Sequence, residues 1–175
     1  GDSSYPMVLK HDLVAALPYL KKKYMTYESY KDQTVEDIFT AEQLQNAVKL
    51  EAYTMESSVF INNGKGGFER KALPREAQLS PMYGITVGDF DKDGKQDILM
   101  GGNFYESKPE VGIYDASYGV LLKGNGNGTF NTIPTQLSGI FISGAVRDIK
   151  EIKSRNRKLM LIALNNSTVK LIEEK

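Results

Sequence analysis

The densest chemistry in the chain is the run Asp89-Phe90-Asp91-Lys92-Asp93-Gly94-Lys95-Gln96-Asp97, with four carboxylates in nine residues. Like charges this close repel one another unless a cation sits among them. Alternation turns Asp89, Asp91 and Asp93 inward, Gly94 permits the sharp turn, the Lys95 carbonyl follows, and Asp97 closes the shell. Hard oxygen ligands in that number select Ca²⁺ over transition metals. A helix–loop–helix calcium site needs a bidentate Glu at the twelfth loop position, and that position is Met100. The flanking runs Tyr83–Val87 and Ile98–Met100 read as strands, so a calcium-binding β-hairpin loop fits better. Two readings compete with it. One is a solvated acidic turn without metal; the other makes Asp89 a phosphatase-type nucleophile, which lacks phosphate-binding companions.

A second grouping is aromatic. Tyr105, Tyr114 and Tyr118, with Asn103 and Asp115 nearby, could form a polar aromatic surface of the kind that binds sugars, or could be half-buried sheet packing. Catalysis is disfavoured, and the chain is not expected to be an enzyme. With no cysteine and one histidine, thiolate sites, disulfides and a Cys nucleophile are excluded, and any triad or zinc site would have to be built around His11 alone. His11 itself, beside Asp12, reads as a surface or capping residue. Lys+Arg and Asp+Glu balance at 22 each, which removes the bulk attraction that nucleic-acid binding uses. Lys21-Lys22-Lys23 reads as a solvated helix end, and the basic stretch Lys150, Lys153, Arg155, Arg157 and Lys158 as a hairpin. No apolar run approaches the ~20 residues needed to cross a bilayer, so membrane insertion is not expected.

These residues must be positioned by two differently textured parts. Residues 1–47 form a helical segment, expected to pack on the β body because it has little core of its own. The run from His11 to Tyr24 is amphipathic, and Pro18 either bends it or opens a second helix in its first turn. Thr34 and Thr40 read as N-caps, the latter with Gln43 completing a capping box. Residues 48–175 read as β. Strand-length runs lie at Val59–Ile61, Tyr83–Val87, Ile98–Met100, Tyr118–Leu122, Ile140–Val146, Leu159–Leu164 and Val169–Ile172.

The β part repeats. Asn63-Gly64-Lys65-Gly66-Gly67-Phe68 returns as Asn125-Gly126-Asn127-Gly128-Thr129-Phe130, each copy after an apolar strand. Leu73-Pro74 is answered by Ile133-Pro134, and Gln78-Leu79-Ser80 by Gln136-Leu137-Ser138. Further on, Val87 aligns with Val146 and Asp89 with Asp148, whose repeat lacks the other carboxylates and should hold no metal. The Asn-Gly turn reads as a tight hairpin whose Phe re-enters the core. A period of ~60 residues with several strands each is that of stacked sheets or propeller blades, and two to three such units fit into residues 48–175.

The Asn125–Phe130 hairpin and the loop Asp89–Asp97 followed by Ile98-Leu99 resemble the FG-GAP/VCBS repeats of integrin-α-like β-propellers. The resemblance is closest to the C-terminal part of bacterial VCBS-repeat proteins of the ASPIC/UnbV group, through Ser4-Tyr5-Pro6, Leu17-Pro18-Tyr19-Leu20, Glu36-Asp37-Ile38-Phe39 and Gly112-Ile113-Tyr114-Asp115. It implies a mainly β fold of incomplete propeller-like blades behind an N-terminal helical segment. It also implies Ca²⁺ held by Asp89, Asp91, Asp93, the Lys95 carbonyl and Asp97, and an extracytoplasmic location. The expected function is a non-catalytic, calcium-stabilised binding or scaffold module with a protein or glycan partner, the alternative being a carbohydrate-binding or adhesion module. Such proteins typically have about seven blades. A shorter chain leaves open sheet edges through which copies could pair.

Overall fold

The computed structural model describes residues 3–154 and 157–173. They form two compact units, residues 1–53 and 54–175, which are described separately.

In the first unit, α1 (Lys10–Ala16) stops at Leu17, and Pro18 opens a 3-10 helix over Pro18–Lys22. The proline has no N–H to continue the helical ladder and its ring blocks the preceding turn, so it starts a new helix rather than bending an old one. Two short helices follow, α2 (Val35–Ile38) and α3 (Ala41–Gln45). Both begin with a complete capping box: Thr34 with Asp37, and Thr40 with Gln43. This segment has more core of its own than its sequence suggests. Leu13, Leu20, Tyr24, Tyr30 and Ile38 are buried together, the two tyrosine rings edge-to-face at 5.4 Å. The Tyr30 hydroxyl donates to the Val8 carbonyl at 2.7 Å.

The second unit is three antiparallel sheets of two, four and three strands. The first pairs β1 (Ser58–Asn62) with β2 (Phe68–Ala72). The central sheet is a meander of β3 (Met82–Gly88), β4 (Asp97–Gly102), β5 (Val120–Gly124) and β6 (Phe130–Ile133). The third contains β7 (Val146–Ser154), β8 (Arg157–Leu164) and β9 (Lys170–Glu173). A one-turn helix, α4 (Thr135–Ser138), follows β6. Strand alternation gives the central sheet two apolar faces. Ile98, Met100, Val120 and Leu122 pack with Leu73, Ala77 and Val59 from the first sheet and the turn after it. Leu99 and Leu121 pack on the other side with Val146, Ile149, Met160 and Ile162 of the third. β4 is therefore buried along its whole length.

The repeat is visible in geometry. In the β1–β2 turn the Asn63 amide donates to the Gly67 carbonyl at 3.0 Å, and in the β5–β6 turn Asn125 donates to Thr129 at 2.9 Å. Both turns place two glycines at positive φ, where a side chain would strain the backbone. The proline turns after β2 and β6 also correspond, with Ala77 donating to Pro74 and Leu137 to Pro134. β1–β2 are thus the counterparts of β5–β6, and β7–β8–β9 those of β3–β4–β5.

Three sequence expectations are corrected. Ile140–Val146 is not a strand: Gly139 and Gly144 at positive φ break the extended run, and Ile142 is held by one bond to the Tyr118 carbonyl. Phe68 does not re-enter a core but is 67% exposed, because within the described residues of the second unit its face of the two-stranded sheet is uncovered. The pairing of Asp89 with Asp148 fails, because the shared Val-x-Asp pattern recurs at different places in the two sheets. Both sheets carry the same irregularity of register, between Met82 and Gly84 and between Val146 and Asp148, so Asp148 stands at Gly84's place, inside the strand and ahead of the acidic loop. The acidic loop is replaced in the third sheet by the β7–β8 hairpin end carrying Lys153, Arg157 and Lys158. Arg155 of that basic stretch lies outside the described residues.

Candidate metal centre

The acidic loop joins two strands of the central sheet, and its ends are fixed because Gly88 pairs with Asp97. Lys92 and Gly94 both take positive φ, which folds the loop tightly enough for its side chains to meet its own amides. Asp89 receives the Asp93 amide at 3.0 Å on one oxygen and the Gly94 amide at 2.9 Å on the other. Asp91 and Asp93 each accept an amide two residues on, at 3.2 and 2.9 Å. Asp97 is only 2% exposed. Its two oxygens take the Phe90 amide at 3.0 Å and the Gly124 amide at 2.9 Å, tying the loop's start to the far end of β5.

Asp89, Asp91 and Asp97 each present an oxygen, all within 4.8 Å of one another. Asp93 stands apart from that trio. Its carboxylate faces Lys123 on β5 at 3.0 Å and Lys95 at 3.4 Å. Lys123 also pairs with Asp91. Hydrogen bonds to Asp91, then to Asp93, push the Lys123 ammonium well above its ordinary pKa. The bond from Lys123, then the Lys95 amide, holds the Asp93 carboxyl below the usual range. One side of the cluster is therefore neutralised by a side chain from the neighbouring strand. Asp91, Asp97 and Lys123 also line a cavity of about 230 Å³ with Phe90, Leu121 and Ile133. The donor set, all hard oxygen with three carboxylates converging, fits a Ca²⁺-class ion better than a softer metal. Lys123 was not among the residues picked out in the sequence. Its role depends on β5 lying beside β4, which no spacing along the chain reveals.

The aromatic grouping falls in residues 103–119, between β4 and β5. The corresponding connection in the third sheet is only residues 165–169, so this loop is an insertion. Asn103 lies inside the fold rather than on a surface. Its carbonyl oxygen accepts from the Ser80 hydroxyl at 2.8 Å and the Ser117 amide at 3.1 Å, and its amide group donates to Ser117 and Gly144. Every bond the side chain can make is used internally. Tyr105, Tyr114, Asp115 and Tyr118 are exposed, and Tyr118 stacks on Phe141 with centroids 4.8 Å apart. Phe104 and Tyr114 exchange backbone bonds that brace the insertion.

No curated protein and no solved structure matches the chain. Residues 36–100 match the family model of the FG-GAP-like repeat. The matched segment ends inside β4 and contains the whole acidic loop, so the carboxylate cluster of this mainly antiparallel β chain lies within the part that is similar to an FG-GAP-like repeat.

Proposed function

We propose that the chain is a non-catalytic binding or scaffold module of the VCBS-repeat kind, working outside the cytoplasm, with one Ca²⁺ clamping the β3–β4 hairpin of its central sheet. The observation that carries this reading is the convergence of Asp89, Asp91 and Asp97 oxygens within 4.8 Å. The Lys95 carbonyl and Asp93 complete the expected set if Lys123 swings away from the loop. Extracellular calcium modules commonly bind at about 10⁻⁴–10⁻³ M. A site of that affinity fills outside a cell and stays mostly empty in cytosol, which is why location and metal belong to one proposal.

The test is thermal melting with chelator or with Ca²⁺ at about ten times its dissociation constant. The parent should gain about 3–6 °C with calcium, Asp89→Asn/Asp91→Asn should gain nothing, and Lys123→Met should bind Ca²⁺ more tightly because an ammonium has left the cluster. Equal melting of the parent in both conditions overturns the clamp. The partner would be a protein or a glycan. The glycan reading has its own support in the Tyr118–Phe141 stack, whose rings are 49% and 61% exposed. Glycan-array binding that disappears in Tyr118→Ala would establish it.

A further inference from the structure

The two glycine turns carry three Asn-Gly pairs, Asn63-Gly64, Asn125-Gly126 and Asn127-Gly128, each with its asparagine exposed. An asparagine followed by glycine can close on itself, because glycine lacks the side chain that would keep its amide nitrogen away from the asparagine's Cγ. The nitrogen bonds to Cγ, the Cγ–Nδ2 bond breaks, and the glycine's amide proton leaves with the NH2 group as ammonia. Water then opens the five-membered imide at either carbonyl, giving aspartate or isoaspartate, with nothing oxidised or reduced. Three features of the surroundings set the rate: whether the glycine N–H is committed to another acceptor, whether Nδ2 is held, and whether donors face the oxygen on which negative charge builds.

The three pairs differ on these points. At Asn127 the oxygen Oδ1 accepts from the Thr129 amide at 3.0 Å and from the Thr129 hydroxyl at 2.6 Å. Among the described residues its Nδ2 donates no hydrogen bond, and neither does the Gly128 amide. Asn63 has a similarly polarised oxygen, with the Lys65 amide at 2.8 Å and the Gly67 amide at 3.1 Å. Its nucleophile, however, is committed, since the Gly64 amide donates to Asn62 Oδ1 at 2.7 Å. At Asn125 it is the departing group that is held. Its Nδ2 donates to the Thr129 hydroxyl at 2.8 Å, and its oxygen has a single donor, Asn131, at 2.9 Å.

We propose that Asn127 is a site of spontaneous deamidation, its developing oxyanion stabilised by the two Thr129 donors, while Asn62 protects Asn63 in the otherwise equivalent turn. The change reaches beyond the turn. The Asn127 carbonyl accepts from the Lys71 ammonium at 3.0 Å, and a Cβ at Gly128 would come within 2.7 Å of Ile61, so the turn tip rests on the first sheet. Conversion adds one negative charge there to a chain whose formal charge is zero. The isoaspartate form also lengthens the backbone by one carbon between β5 and β6. The age of the molecule is thereby recorded at the contact between the first and central sheets, whether or not the acidic loop holds a cation.

The test follows the full chain in warm neutral buffer by peptide mapping with mass spectrometry, beside the same chain held in urea. In the folded chain Asn127 should convert about tenfold faster than Asn63 or Asn125, the rate equivalent of one hydrogen bond to a developing charge. In urea the three should convert at comparable rates, because the bonds that distinguish them are gone. Thr129→Val should slow Asn127 about tenfold in the folded chain and leave its rate in urea unchanged. Asn62→Ala, which frees the Gly64 amide, should bring Asn63 up toward the rate of Asn127. An Asn127 no faster than Asn63 in the folded parent overturns the proposal, and so does an unchanged folded rate in Thr129→Val. An Asn63 that stays slow in Asn62→Ala overturns the protective role of Asn62. The comparison within the parent needs no substitution, so it decides the outcome should Thr129→Val lose the parent's circular dichroism.

Discussion

At the scale of single residues, Asp97 does two things at once. It is one of the three carboxylates that converge, and it accepts two backbone amides in a buried place. Shortening it to alanine leaves both donors without partners, which destabilises by about 2–4 kcal/mol from unmet bonds alone. Urea unfolding of Asp97→Ala in chelator should show that loss even with no calcium present. Asp89→Ala in chelator should lose less, since its amide partners lie in the exposed loop and can turn to water. The residue scale is also where sequence reasoning reached furthest and stopped most abruptly. Three alternating carboxylates with a fourth soon after mark out the acidic loop in the sequence, because their mutual repulsion is a local property. Asn103 looked like a surface ligand for the opposite reason: its bonds go to Ser80, Ser117 and Gly144, partners that only the folded chain brings together.

At the scale of elements, the helix starts were legible because capping is a four-residue event. Thr34 and Thr40 each meet the residue three positions on, as their spacing predicts. In α2, the Thr34 backbone amide, then its hydroxyl, hold the Asp37 carboxyl below its ordinary range. The sign follows directly. A depressed carboxylate pKa adds stability that is present above the unfolded pKa of about 3.9 and is lost as pH falls through the folded value. Thr34→Ala should destabilise the first unit by about 1 kcal/mol near neutrality, and a carboxyl-carbon NMR titration should move Asp37 back toward its ordinary midpoint. An unchanged midpoint would mean that the hydroxyl contributes nothing. Strand positions were legible wherever Gly-rich turns bounded them. The register between repeats was not: a shared Val-x-Asp pattern suggested that Asp148 answers Asp89, whereas strand pairing sets Asp148 against Ala163 as it sets Gly84 against Gly101.

At the scale of the whole second unit, stability rests on a central sheet covered on both faces. Leu122 is fully buried in the contact with the first sheet. Leu122→Ala should cost about 2–5 kcal/mol, read as a lower denaturant midpoint with an unchanged slope. A changed slope would mean that the first sheet detaches on its own. The double-sided burial of β4 has a further consequence for a chain made from its N-terminus. β1 and β2 precede the central sheet and can cover its back face as it emerges, whereas β7 and β8 are synthesised only after it. Leu99 and Leu121 therefore wait bare on the nascent chain until some forty residues more have left the ribosome, an estimate that follows from the element order. That interval is when this protein is most exposed to misassociation, and a chaperone that binds apolar strands would find its target there.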